Sequence, residues 1–294
     1  KFDIPKNSNL QIIESYAFYG CDKLEKFDIP ENSNLQIIES YAFYHTNIKS
    51  FFIPSKVSKI CEHSFYDCHA LEKIKIPKNS NLQIIESYAF TFSKIKKIYL
   101  PPNLRELKEG WCDGLFDLNK IKLSRSNDHF KYKKGKYLIG KSDKNKDKFD
   151  VLLFVRRDIR KFSISSKIKI ISSNAFYHCI NLLKVKFRPN SNLQVIGSRA
   201  FDSSNIVSIS IPSKVTRICP CAFSYCRNLT KVEIPENLNI QEIEHYVFQR
   251  TNIESISIPS KVTKICEFAF SFCVNLKKVE IPTNSNLKII ESNA

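Results

Sequence analysis

Apolar residues recur along this chain in short alternating runs. Leu71-Glu72-Lys73-Ile74-Lys75-Ile76-Pro77 and Ile48-Lys49-Ser50-Phe51-Phe52-Ile53-Pro54 alternate apolar and polar positions and then stop at proline. Alternation with period two predicts a short strand with one face buried. Proline ends the run, because its fixed φ and missing N–H cannot continue a ladder. The same run returns at 27–30, 98–101, 209–212, 232–235, 256–259 and 279–282. A second apolar pair follows each strand, such as Val57 and Ile60 or Val262 and Ile265. Next comes a small residue with Phe, as in Ala42-Phe43, Ser64-Phe65, Ala89-Phe90, Ala175-Phe176, Ala200-Phe201, Ala222-Phe223 and Ala269-Phe270.

These columns keep step over long distances. Phe18, Phe65 and Cys112 fall 47 residues apart, as do Phe176, Phe223 and Phe270, and Cys179, Cys226 and Cys273. Each step holds two units of 23 or 24 residues. One carries a Pro-x-Asn-Ser-Asn-Leu turn (Asn32, Ser33, Asn34, Leu35), the other a shorter Pro-Ser-Lys-Val turn (Ser55, Lys56, Val57). So regular a register predicts a solenoid in which each turn packs only on its neighbours. Stacked Phe rings would fill its core, with small partners leaving room for them.

The unit resembles the BspA-like leucine-rich repeat, roughly Leu-x-x-Ile-x-Ile-Pro-x-x-Val-x-x-Ile-x-x-x-Ala-Phe-x-x-Cys. The resemblance covers about 1–123 and 162–294. It implies a mostly β leucine-rich-repeat solenoid, a curved right-handed stack of about 10–11 repeats with a parallel inner sheet. It also implies a surface protein of mucosal bacteria or parasitic protists, associated with adhesion to host matrix and cells.

Between Leu123 and Ile164 the period fails, and residues 124–161 form an insert between two repeat blocks, 1–123 and 162–294. Two β-rich runs, 130–140 and 151–155, flank the charged stretch 141–148 and predict a hairpin. The turn before it is also degenerate, with Trp111 and Cys112 in place of Ser and Phe, and Gly110 and Gly114 nearby. The insert reads either as a joint carrying a solvated basic hairpin or as a ligand-contacting element, since solenoid insertions often lie on the binding face.

Charge sharpens the second alternative. The chain carries a net +17, which favours anionic partners. From Ser124 to Lys161 there are 13 Lys or Arg against 5 Asp or Glu, a surplus of 8. Two outward columns can be read along the strands. At the ends lysines are balanced by Asp28, Glu233 and Glu280. In the middle Lys73, Lys75, Lys97, Lys120, Lys122, Lys184 and Lys186 have no acid beside them and flank Tyr99. With Lys133 and Lys134 of the insert, these are the candidate ligand contacts; the alternative is a merely solubilising stripe.

Other chemistry is thin. Ten cysteines alternate in columns with Ser or Thr, which places the nearest column partner two strands away, roughly 9–10 Å, too far for a disulfide. They read as buried thiols; pairing within one turn stays open. Cys219-Pro220-Cys221 with Cys226 lacks zinc-finger spacing. Six histidines fall mostly in turns, and six glycines leave no phosphate-binding loop. No catalytic, cofactor or metal site is expected, nor a membrane span, since no apolar run nears eighteen residues. The chain has no Met and opens within a repeat, so it is expected to be a piece of a longer one. The expected function is a non-catalytic adhesion or binding module for a protein or acidic glycan, at the cell surface or secreted as the resemblance implies. The alternative is an intracellular scaffold for acidic proteins. Nucleic acid is a weaker third, because charge alone supports it.

Overall fold

The computed structural model describes residues 1–294, in which strands, turns and loops alternate without an α-helix. The chain divides into two compact units, 1–135 and 136–294.

In the first unit one column of strands comprises Phe2–Asp3, Phe27–Asp28, Ser50–Phe52, Lys73–Lys75, Lys97–Leu100 and Lys120–Leu123. Pairing is parallel and in register, as in Ser50↔Lys73, Phe51↔Ile74 and Phe52↔Lys75. A second column of two-residue strands, Ile12–Ile13, Ile37–Ile38, Lys59–Ile60, Ile84–Ile85 and Glu106–Leu107, forms one parallel sheet. The second unit repeats the plan, with first-column strands Lys161–Ile164, Lys184–Phe187, Ser208–Ser210, Lys231–Glu233, Ser255–Ser257 and Lys278–Glu280. First-column strands thus number twelve, where ten or eleven repeats were expected. The extra turns start at Phe2–Asp3, where the chain enters mid-repeat, and at Lys161–Ile164, where Ser165 replaces the terminating proline.

Each turn closes through a third corner holding the small residue and Phe. There too the backbone pairs from turn to turn: the Phe43 N–H donates to Ser64 O at 2.8 Å, Phe65 to Ala89 O at 2.8 Å, and Phe176 to Ala200 O at 2.8 Å. Aiming these donors requires two left-handed residues per corner, for example Tyr41 (φ 58°) with His45 (φ 54°). A side chain there costs roughly 1–2 kcal/mol, which the ladder and aromatic stacking offset; Tyr41 stacks on Tyr16 at 5.1 Å and on His63 at 4.7 Å. Inside, the Phe rings stack in parallel: Phe43 on Phe65 at 5.1 Å, and Phe201 on Phe223 at 5.3 Å.

Trp111 and Cys112, which break the column in sequence, are both buried. The large residue sits where others have a small one, and the small residue where others have Phe, so volume is roughly conserved across the pair. Gly110 and Gly114 make this possible. Both have positive φ, and a Cβ at Gly110 would lie 2.7 Å from the Tyr88 ring.

The column of Cys68, Cys226 and Cys273 is explained by the same turn-to-turn contact. The Cys68 thiol donates to Phe43 O at 3.0 Å and lies 3.3 Å from Thr46 Oγ1. Cys226 repeats this with Phe201 O at 3.0 Å and Ser204 Oγ at 3.4 Å. A thiol and a hydroxyl therefore alternate because each pairs with the other across one turn. Burial pushes the Cys68 thiol up to about 11 and the Cys226 thiol up to about 12. Because the thiolate is the reactive form, exposed Cys21 should react with an aromatic disulfide reagent well ahead of both. Thiol counts before and after denaturation check this, and rapid modification of native Cys226 would contradict it.

The insert forms an antiparallel hairpin of Tyr137–Lys141 and Phe149–Val155. Its second strand also pairs in parallel with Ile170–Ile171, through Val151↔Ile170 and Leu152↔Ile171. It thereby serves as a second-column strand of the second unit, with Leu152, Phe154 and Val155 buried. This hairpin is not merely solvated; it is built into the stack.

Candidate ligand-binding faces

Along each first-column strand the central apolar residue points inward and its neighbours outward. In Lys73–Lys75 and Lys120–Leu123 both lysines are exposed around a buried Ile74 or Ile121. The first unit brings six of the expected residues, Tyr99 among them, onto neighbouring strands as one face. Lys120 pairs with Lys97 and Lys122 with Tyr99, and Lys73–Lys75 lies alongside Lys97–Leu100. Charges there stand about 5 Å apart across strands and about 7 Å apart along them. None of Lys73, Lys75, Lys97, Lys120 or Lys122 has a carboxylate within 4.0 Å. In the same columns elsewhere, Lys26 meets Asp28 at 3.0 Å, Lys231 meets Glu233 at 2.6 Å and Lys278 meets Glu280 at 2.6 Å. Like charges facing one another across a sheet destabilise it, so this face carries a repulsion that the ends of the columns do not.

Lys133 ends the Lys131–Lys133 strand, which lies next to Lys120–Leu123. Lys134 follows with φ 53°, and both are exposed. Much of the insert's remaining charge is spent internally: Lys146 pairs with Asp143 at 3.1 Å, Arg156 with Asp158, and Lys141 with Asp147 at 3.5 Å. Arg157 is buried, its guanidinium donating to Ala175 O at 3.1 Å and lying over the Phe154 ring.

Lys184 and Lys186 belong to the second unit. There Lys184 pairs with Lys161 and Lys186 with Ser163. On the other side only Lys184↔Ser208 is paired. Beyond that pair the strands part, and a groove of about 660 Å³ opens, lined by Lys184, Lys186, Arg188, Ser208, Ser210 and Lys214 among others. Lys214 Nζ donates to Asn192 Oδ1 at 2.9 Å at its rim. Arg188 was not among the expected contacts. Its signal was present in the sequence, as Phe187-Arg188-Pro189 stands where other turns read Ile-Pro. Displacing proline by one residue lengthens the strand to Phe187 and places an exposed guanidinium beside the two lysines.

Stacked parallel strands on an apolar Phe, Ile and Leu core, with the distinctive residues on an outward sheet face, define a leucine-rich-repeat solenoid, an interaction module by class. More particularly, the chain belongs to the BspA-type leucine-rich repeat family, whose model matches six copies over residues 1–133, 150–242 and 241–294. No curated protein matches it. Solved structures share the fold. A leucine-rich cell surface protein from Faecalibacterium prausnitzii is 22% identical, with a TM-score of 0.65 over 98% of this chain and 81% of that one. The pneumococcal vaccine antigen PcpA is 17% identical, with a TM-score of 0.73 over 99% and 79%. A leucine-rich repeat protein from Eubacterium ventriosum is 19% identical, with a TM-score of 0.67 over 86% and 72%. No helix is long and apolar enough to cross a membrane.

Proposed function

We propose that this chain is a non-catalytic adhesion module of the cell surface, binding an acidic protein or glycan through the lysine-bearing sheet faces of its units. The observation that carries this reading is the set of uncompensated lysines at Lys73, Lys75, Lys97, Lys120 and Lys122, whereas Lys26, Lys231 and Lys278 at the column ends have acidic partners. Holding like charges on adjacent strands lowers stability, and an anionic ligand would relieve it. Complementary charge raises the association rate and makes it sensitive to salt. In the second unit Lys184, Lys186 and Arg188 offer the same chemistry along a groove. Surface location is supported by the F. prausnitzii relative, itself a cell surface protein.

Replacing Lys97, Lys120 and Lys122 with Glu should abolish salt-sensitive binding to cells or to a heparin-like polymer. Unchanged binding would reject this face as the contact. A second reading, an intracellular scaffold for acidic proteins, is favoured by ten cysteines with no disulfide among them, which suit a reducing compartment. Antibody labelling of intact cells separates the two: surface signal supports adhesion, and signal only after permeabilisation supports the scaffold.

A further inference from the structure

In the second unit the strands Glu242–Ile243, Lys264–Ile265 and Ile289–Ile290 lie parallel, with Glu242↔Lys264 and Lys264↔Ile289 in register. Just past each strand the chain carries a residue able to bind a metal. The Cys266 N–H donates to Ile243 O at 2.9 Å and the Glu291 N–H to Ile265 O at 2.9 Å, which fixes those two one strand apart. A ring nitrogen of His245, Cys266 Sγ and a Glu291 carboxylate oxygen all lie within 4.8 Å of one another. Glu242 Oε2 lies 3.6 Å from the same sulfur.

We propose that His245, Cys266 and Glu291, with Glu242 as fourth ligand, form a binding site for a zinc-class divalent cation. One nitrogen, one sulfur and two carboxylate oxygens are a donor set that zinc accepts in tetrahedral geometry.

The repeat itself supplies an internal control. Residues 36–43 read Gln-Ile-Ile-Glu-Ser-Tyr-Ala-Phe, and residues 241–248 read Gln-Glu-Ile-Glu-His-Tyr-Val-Phe. The following turn carries Cys61 in the first case and Cys266 in the second. Both cysteines sit near a matching ion pair, Lys59 with Glu86 at 2.9 Å and Lys264 with Glu291 at 2.7 Å. The two copies differ at three positions. Two of those exchanges, Ile37 against Glu242 and Ser40 against His245, add ligating side chains around the cysteine. A scaffold position has no need of either, since Ile and Ser fold the same corner at residues 11–18 and 83–90.

The electrostatics agree. Cys266 is buried (1% exposed), and a thiolate there would face the Glu242 carboxylate 3.6 Å away. A divalent cation would replace that repulsion with attraction and hold the thiolate. Lys264 now supplies the counter-charge and would swing away on binding. The Glu267 N–H, which donates to Glu291 Oε2 at 3.0 Å, would keep that carboxylate oriented as an outer-shell partner.

Titration of the metal-free chain with cobalt(II), a spectroscopic stand-in for zinc, tests the site. One equivalent should produce thiolate-to-cobalt charge-transfer absorption, which stoichiometric zinc then removes. Cys266→Ser should lose the band. His245→Ala, at a partly exposed position that tolerates Ser elsewhere in the repeat, should weaken cobalt binding at least about tenfold. Cys61→Ser should leave both unchanged. No charge-transfer band in the unaltered chain, or full-strength binding in His245→Ala, would overturn the proposal. A band lost in Cys61→Ser and kept in Cys266→Ser would also overturn it. If Cys266→Ser fails to fold, His245→Ala and Glu242→Gln still decide the matter.

Discussion

Replacing Phe223 with Ala should destabilise the second unit by about 4 kcal/mol. Its ring has no exposed surface and stacks between Phe201 at 5.3 Å and Phe248 at 5.6 Å. Removing it forfeits the transfer energy of the ring and leaves a cavity that a corner held by turn-to-turn hydrogen bonds cannot collapse to fill. The Phe223 N–H donates to Val247 O at 2.9 Å and Phe201 N–H to Ala222 O at 2.8 Å, so the backbone on both sides is pinned. Since each turn leans only on its neighbours, the loss weakens two interfaces together. Denaturant unfolding followed by circular dichroism measures it. Val274→Ala, at an 80% exposed position, should change stability by less than about 0.5 kcal/mol. A loss below about 1 kcal/mol at Phe223 would mean that the Phe column does not carry the core.

The second large effect is expected at Asn127, where the first stack of turns meets the insert. Its side chain is buried and fully engaged. Nδ2 donates to Pro101 O at 2.8 Å and Leu104 O at 2.8 Å, and Oδ1 accepts from the backbone N–H groups of His129 and Phe130, both at 3.1 Å. One amide thus fastens the last Pro-turn of the unit to the start of the insert. Asn127→Ala leaves the Leu104 carbonyl and two N–H groups short of partners, while Pro101 O keeps the Leu104 N–H, and should cost about 3 kcal/mol at roughly 1–3 kcal/mol per orphaned buried group, part of it recovered by water. Asn127→Asp keeps the acceptor but turns a carboxylate oxygen toward the Pro101 and Leu104 carbonyls. It should be at least as destabilised as the alanine variant. Wild-type stability of Asn127→Asp would show that the donor side of this amide is dispensable.

How much of this was legible in the chain depended on whether a feature lives within one turn or between turns. The alternation in Lys73-Ile74-Lys75 is local, so the strand, its buried face and its outward lysines could all be read directly. The Phe column followed from a fixed period. The corners could not be read that way, because Tyr41, Tyr225 and Tyr246 have left-handed backbones that no propensity of tyrosine suggests; the hydrogen bonds that hold them come from the next turn. The Trp111-Cys112 exchange was visible as a departure, yet its compensation by Gly110 against Tyr88 is a contact between turns. Arg188 could have been found from the displaced proline. The cluster of His245, Cys266 and Glu291 was harder to see, since its members stand 21 and 25 residues apart and meet only when turns stack in register. The lysine columns were anticipated as one central patch. In the structure Lys73 to Lys134 belong to the first unit and Lys184 and Lys186 to the second.

If the sheet-face lysines bind, affinity should depend on their arrangement and not on net charge. The most direct measurement compares two triple variants of equal net charge for affinity toward a heparin-like polymer at low and physiological salt. One is Lys97→Glu, Lys120→Glu and Lys122→Glu on the strand face; the other reverses Lys6, Lys23 and Lys94, exposed lysines of turns and corners. The strand-face variant should lose binding and its salt dependence while the turn variant stays near wild type. Equal losses in both would contradict it and leave the lysine columns as solubilising charge.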